Sequence, residues 1–295
     1  MKQLVVTSGK GGTGKTSVVA SLAALADDIV LADCDVDAAD LHLVLSPERR
    51  RREVFSAGFL AVVDASACAG CGRCVEACRF GAITLEDGQA SVNAYACEGC
   101  GVGELVCPAG AVRFEETDVG EWFVSDTPAG PMVHARLRPG AENSGKLVTV
   151  VRREARAEAA RCGAGLILID GSPGIGCPVI ASLTGADLAL AVTEPTLSAQ
   201  HDLERVVEVS RILRTPVVVA INRWDINLDV TNAIEEWCHK EELPVVGLIP
   251  YDTAVTRAQI EGRSVVETSD GAAAASLDAL WRRVEGILTG TSGED

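Results

Sequence analysis

Seven of the chain's eleven cysteines fall between Cys68 and Cys107, in two runs that repeat each other. Cys68-x2-Cys71-x2-Cys74-x3-Cys78 is followed 29 residues on by Cys97-x2-Cys100-x2-Gly103-x3-Cys107-Pro108, and Gly81, Ala82 and Ile83 recur as Gly110, Ala111 and Val112. Thiolates at these intervals wrap cubane iron–sulfur clusters, the fourth cysteine of each run crossing to the other cluster. The spacing assigns Cys68, Cys71, Cys74 and Cys107 to a complete [4Fe-4S] site. Cys78, Cys97 and Cys100 form a second site one thiolate short, because Gly103 stands where the first run has Cys74. Such a site holds a [3Fe-4S] cluster, a labile [4Fe-4S] cluster whose unique iron takes another ligand, or nothing. Glu104 beside the gap offers a carboxylate, a harder donor than thiolate and a weaker replacement. A structural zinc also uses C-x2-C pairs, but it explains neither the seven-cysteine repeat nor Pro108.

A second chemistry lies at the N-terminus. Gly9-Lys10-Gly11-Gly12-Thr13-Gly14-Lys15-Thr16 fits G-x4-G-K-[ST] between an apolar run and a helical one, the setting this phosphate-binding pattern needs. Its glycines let successive backbone N–H groups turn toward phosphates, at a helix start that continues through Ser17 and adds its positive dipole end. Lys15 is placed to reach the β- and γ-phosphates of ATP, or the β-phosphate of ADP, and the Thr16 hydroxyl to ligate Mg2+. Asp33-Cys34-Asp35 and Asp170-Gly171-Ser172-Pro173-Gly174 each close an apolar strand, and strand C-termini are where ligands sit in an open parallel sheet. A carboxylate there can hold the Mg2+ shell or orient an attacking water.

The elements that must position these groups alternate. Strands are expected at Gln3 to Thr7, Ile29 to Ala32, Leu166 to Ile169, Leu188 to Val192, Pro216 to Ile221 and Val245 to Ile249. Helices are expected at Thr16 to Leu25, Lys146 to Ala160, Ser198 to Leu213 and Val230 to Glu241. Continuous apolar strands demand cover on both faces, so the fold class is α/β with a doubly wound, mostly parallel sheet. From about Phe55 to Phe114 the composition shifts to cysteine and no helix or strand of ordinary length is expected. The division is 1–54 and 116–295 for the nucleotide-binding domain, with 55–115 an inserted ferredoxin-like module.

These residues resemble a known family. Lys10 looks like the signature lysine of the deviant Walker A motif of the MinD/Mrp superfamily of P-loop ATPases. The stretches Asp170 to Pro178, Thr193-Glu194-Pro195-Thr196 and Gly130 to Ala135 are similar to members containing an inserted ferredoxin domain. The resemblance implies a homodimer that sandwiches ATP, with Lys10 reaching the partner's phosphates. It also implies that Asp35 activates water, that Asp40 is a second acidic residue of the same switch, and that Asp170 sits near Mg2+. Asn222 is implied to contact adenine, and Ile249-Pro250-Tyr251-Asp252 to lie against the base. The catalytic set is then Lys10, Lys15, Asp35 and Asp170. The implied activity is ATP hydrolysis, slow without a partner, coupled to electron transfer with a redox or metallocluster protein; the alternative is an Mrp-type scaffold delivering clusters as cargo. Spatial positioning of the MinD kind needs a basic amphipathic tail. The tail from Leu277 to Asp295 has only Arg282 and Arg283 as bases and ends acidic.

Composition narrows the partners. A formal charge of −16, from 42 acidic against 26 basic residues, repels nucleic acid and anionic lipid. The chain opens directly on a strand and has no long apolar run, so a cytoplasmic location is expected, where thiols stay reduced and serve metals rather than disulfides. Cys34, Cys162 and Cys238 are expected to be packing residues, Cys177 a small buried thiol, and Arg49 to Arg52 a solvated basic face. The four histidines show no ligand spacing.

Overall fold

The computed structural model describes residues 1–139, 141 and 144–290. Its strands are β1 (Lys2–Ser8), β2 (Ile29–Asp33), β3 (Glu48–Val63), β4 (Ile83–Glu86), β5 (Gln89–Val92), β6 (Val112–Thr127), β7 (Gly130–Leu137), β8 (Leu166–Pro173), β9 (Leu188–Thr193), β10 (Val217–Asn222) and β11 (Val245–Ile249). Nine form one sheet in the order β11-β10-β9-β1-β8-β2-β7-β6-β3, and β4 pairs with β5 alone. By contacts the chain divides into a larger unit, Met1–Glu53 with Trp122–Arg136 and Ser144–Asp295, and a smaller one, Val54–Glu121 with Leu137–Asn143. Within the bounds of the larger unit and the expected third segment, residues 291–295 lie outside the described residues.

In the larger unit the strands from β1 to β11 that carry the nucleotide motifs run parallel. β1 lies between β8 and β9, β2 follows β8, and β10 joins β9 to β11. Their side chains are buried on both faces: Leu4, Val5, Val6, Leu168, Ile169, Ala189 and Leu190 have no exposed surface. Helices supply that cover. The last described helix, Ala272–Thr289, turns Leu277, Leu280, Trp281, Val284 and Leu288 inward at three- and four-residue spacing, and Leu280 packs where Gly247 of β11 leaves room. Register then places chemistry: Asp33 at the end of β2 stands beside Asp170 of β8, and Val6 of β1 beside the same Asp170.

Two elements depart from the sequence expectation. The segment from Phe55 to Phe114 is entered by two sixteen-residue strands, β3 and β6. Arg49 to Arg52 begin the first of these, so the basic run is an edge strand of the sheet. Arg50 pairs with Asp126 and Glu158, while Arg51 pairs with Glu154 and stacks its guanidinium over Trp122 at 4.6 Å. Strong charge on an edge strand blocks pairing with other chains, and it also hides the strand from a pattern search for apolar runs. β7, likewise unforeseen, pairs parallel with β2, Leu31 beside Met132 and Asp33 beside His134. No described helix is long and apolar enough to cross a membrane.

The smaller unit has a modest core. Cys74, Ile83, Ala90 and Val112 form one buried cluster, with Ala61, Val63, Val75, Val92 and Val106 packed around them, and Ala82 and Ala111 are buried as well. Phe59 and Phe114 stack at 4.8 Å.

Candidate functional site

The Gly-rich turn between β1 and the helix Lys15–Leu25 borders an open cavity of about 340 Å3, a size suited to a small-molecule ligand. Gly11, Gly12, Gly14, Lys15, Thr16 and Ser17 line it, together with Asp35, Asp40, Asn222 and Pro250. Gly14 has φ +86°, and a Cβ there would overlap the Asn222 amide, which donates from Nδ2 to the Thr13 carbonyl at 2.8 Å. That bond joins the end of β10 to the loop. Asn222, Pro250 and Tyr251 thus share the cavity with the phosphate loop. Gln259 is a member that sequence reasoning missed; it donates to Ser17 Oγ at 2.7 Å.

Behind the loop sits one ammonium among three carboxylates. Lys15, only 6 % exposed, pairs with Asp170 and lies 3.3 Å from Asp35; Thr16 Oγ1 donates to the other Asp170 oxygen at 3.1 Å. Burial pulls the Lys15 pKa down, but Asp170, Asp35 and Asp33 together carry it above the ordinary value. Burial raises Asp33 well above the usual carboxylate range, and the Asp170 charge raises it further. Asp35 is also raised, by burial first, against the opposing pull of Lys15. Asp33 Oδ2 and Thr13 Oγ1 are buried without a hydrogen-bond partner. A set with this excess of acid and an orphaned buried oxygen fits a divalent cation. Mg2+ needs only one or two protein oxygens beside phosphate and water, so Thr16 with these carboxylates is a sufficient donor set.

Four of the expected residues do not line this cavity: Gly9, Lys10, Thr13 and Asp170. Asp170 and Thr13 stand just behind it, through Lys15, Thr16 and Asn222. Lys10 turns away. Its ammonium lies 2.9 Å from Glu194 and 3.1 Å from both Thr196 Oγ1 and Ser198 Oγ. Arg223 reaches the other Glu194 oxygen at 3.2 Å and the Gly12 carbonyl at 3.3 Å. The Glu194 carboxylate therefore bridges the two cations beside the loop, a role that its place just past β9 could have suggested.

In the smaller unit the seven cysteines divide between two cavities. Cys68, Cys71, Cys74 and Cys107 line one, and Cys78, Cys97 and Cys100 line the other with Gly103 and Glu104. Each crossing cysteine receives backbone amides from the Gly-Ala turn after it: Ala82 N donates to Cys78 Sγ and Ala111 N to Cys107 Sγ, both at 3.3 Å. For Cys107 the Val112 amide leads, with Ala111, Ala109 and Gly110, and holds the thiol below its ordinary pKa. Burial works to raise Cys78, but the amides of Phe80, Ala82, Ile83 and Gly81 outweigh it and the thiol is lowered too. Cys74 is raised, chiefly by burial. Thiolate-stabilising amides and a soft donor set fit an iron–sulfur cluster. Among the described residues no three His, Cys, Asp or Glu side chains form a group for a single metal ion. A cubane does not ask for one, because each thiolate binds a different iron.

Two cysteine expectations are corrected. Cys177 is exposed, since it opens the helix Cys177–Leu183 with Pro178 behind it, and Cys162 is exposed because it ends the helix Ser144–Cys162 at the surface. Cys34 and Cys238 are buried as packing residues. His134, given no role from sequence, is buried with Nε2 2.9 Å from Ser125 Oγ.

The chain is similar to known proteins in sequence and fold. An uncharacterised protein of Methanocaldococcus jannaschii is 35% identical over 232 residues, covering 76% of this chain and 79% of that one. The cell division ATPase MinD of Pyrococcus furiosus has a similar fold, with TM-score 0.58, 20% identity and coverage of 97% and 99%. The septum site-determining protein MinD of Pyrococcus horikoshii, solved with Mg-ADP, has TM-score 0.58 at 17% identity and covers 100% of this chain and 99% of that one. The family described as the CobQ/CobB/MinD/ParA nucleotide binding domain matches residues 4–265, and with its phosphate loop, doubly wound sheet and carboxylates at the strand ends this chain belongs to that family.

Proposed function

We propose that this chain hydrolyses ATP as a homodimer and couples that cycle to electron transfer through iron–sulfur clusters in its smaller unit. The observation that carries the reading is the division of seven thiols into groups of four and three around two cavities, in a chain whose other unit holds a nucleotide site. Lys15 would exchange part of its pairing with Asp170 and Asp35 for the β- and γ-phosphates. Asp35, freed from that pairing and raised in pKa by burial, would orient and deprotonate a water. Bound Mg2+, held through Thr16, would neutralise phosphate charge. Lys10 is restrained by Glu194, Thr196 and Ser198 and must leave them to act across a dimer. The clusters would store and pass single electrons, and the amides on Cys78 and Cys107 would tune them. Reduced thiols in this number fit a cytoplasmic location.

Exposure of Cys71 and Cys100 favours a second reading, an Mrp-type scaffold that hands clusters to an apo-protein. Anaerobic purification followed by iron and sulfide analysis, EPR and ATPase assay tests the first reading. Stable clusters that cycle reversibly support it. Rapid transfer of iron and sulfide to an apo-ferredoxin would support the scaffold, and a chain without iron would reject both.

A further inference from the structure

The two halves of the cysteine repeat differ at several positions, and two of these are adjacent at the ligand gap. Cys74 in the first half corresponds to Gly103 in the second, and Val75 corresponds to Glu104. Val75 packs against the small core of the unit, so this position faces inward in the half that is complete. In the second half it carries a carboxylate. One thiol is lost and one carboxylate gained, side by side.

The structure adds three observations. Glu104 lines the same cavity as Cys78, Cys97 and Cys100. Glu104 is exposed at the mouth of this cavity, and its carboxylate has no hydrogen-bond or ion-pair partner among the described residues, so it is free to turn toward the three thiols. The space behind Gly103 is tight: a Cβ there would lie 3.2 Å from Ile83 Cδ1 and 3.4 Å from Val112 Cγ1, so a side chain fits only if these two yield slightly. Glu98 borders the cavity too, but its counterpart Ala69 lies between two cysteines of the first run, not at the ligand gap. Two carboxylates at one mouth also disfavour an anionic outside ligand such as a free thiolate.

We propose that the Glu104 carboxylate is the fourth ligand of the second cluster and makes its unique iron exchangeable. The inference rests on the iron–sulfur reading of the smaller unit. The longer Glu stem reaches from the neighbouring position, and a carboxylate, harder than thiolate, holds that one iron less firmly than the three thiolates hold theirs. If a [4Fe-4S]2+ cluster is held there, dioxygen would take one electron from it as superoxide, and the oxidised core would lose Fe2+ at the position held by Glu104 and leave [3Fe-4S]+. Charge balances, because the three positive charges of the oxidised core divide into two on the departing ion and one on the three-iron core. Removing a donor of one element should lower occupancy of a single iron and leave the four-thiolate cluster as an internal reference.

The test compares the full parent chain with Glu104→Gln, Glu98→Gln and Gly103→Cys, all purified anaerobically, by iron and sulfide analysis and EPR before and after air. The parent is expected to hold about eight irons per chain and to develop a three-iron signal only in air. Glu104→Gln should hold about seven irons and show that signal from the start, and Glu98→Gln should match the parent. Gly103→Cys, once Ile83 and Val112 yield a few tenths of an ångström, should suppress the air-induced signal. If Glu104→Gln keeps the parent's iron count and spectrum while the first cluster is present, this inference alone is overturned. Loss of both clusters from Glu104→Gln would likewise overturn a ligand role in favour of a structural one. A parent without iron would reject the cluster reading and this inference with it.

Discussion

The nucleotide unit and the cysteine unit prepare their sites in opposite ways. In the first, Lys15, Asp170, Thr16, Asp35, Lys10 and Glu194 are already joined by ion pairs and hydrogen bonds, on strands whose side chains are buried on both faces. In the second, the core cluster around the cysteines is built on Cys74, Ile83, Ala90 and Val112, one of them a ligand candidate, and the seven thiols line cavities and form no disulfides. A site held by protein contacts survives without its ligand. If the smaller unit holds the proposed clusters, they would staple a fold of modest apolar burial.

The largest effect should come from removing iron. Anaerobic treatment with a chelator and oxidant is expected to make the segment Val54–Glu121 protease-sensitive while ATP binding persists, seen by limited proteolysis and nucleotide titration. An iron-free smaller unit as resistant as the loaded one would erase the contrast. Next in size, Lys15→Ala should lower ATP turnover by about a hundredfold or more, because it removes the cation aimed at the transferred phosphoryl group, and should leave iron content unchanged. Parent-level turnover in that variant would misplace the phosphate site. Lys10→Ala should keep ATP binding and lose ATP-dependent dimer formation in light scattering with a non-hydrolysable analogue. An unaltered dimer would remove the role given to this lysine.

The smallest effect is a pH dependence in the nucleotide unit. His134 is pushed down to about 4, first by burial and then by His42, Arg49 and Arg136. Its neutral form is therefore favoured by folding. Stability from this residue is full above the unfolded pKa near 6.5 and is lost as pH falls toward 4, by about 3 kcal/mol at most. Denaturant melts from pH 7 to 4 on the parent and His134→Gln should show a flatter decline in the variant. Parallel declines would assign the acid sensitivity to the carboxylates instead.

Sequence patterns carried the nucleotide unit well because its strands are continuous apolar runs and its loop chemistry depends on glycine, lysine and threonine at fixed intervals. The strands β3 and β6 were hidden because one opens with Glu48 and four arginines and the other carries Glu115 and Glu116, and so charged a strand start has no apolar period to detect. The grouping of Cys107 with Cys68, Cys71 and Cys74 was readable from spacing. Glu194's place just past a strand end could have marked it as a candidate, but its pairing with Lys10 was not readable, since those two residues lie nearly two hundred positions apart. Exposure of Cys177 turns on its place at a helix start, which composition does not record.

Coupling between nucleotide and cluster is the claim most open to direct test. An EPR-monitored redox titration of the four-thiolate cluster, with and without Mg-ATP under anaerobic conditions, measures it. ATP is predicted to move the midpoint by about 60 mV or more, the shift that corresponds to tenfold coupling for one electron. Identical midpoints with and without nucleotide, in a chain that binds both iron and ATP, would contradict the account.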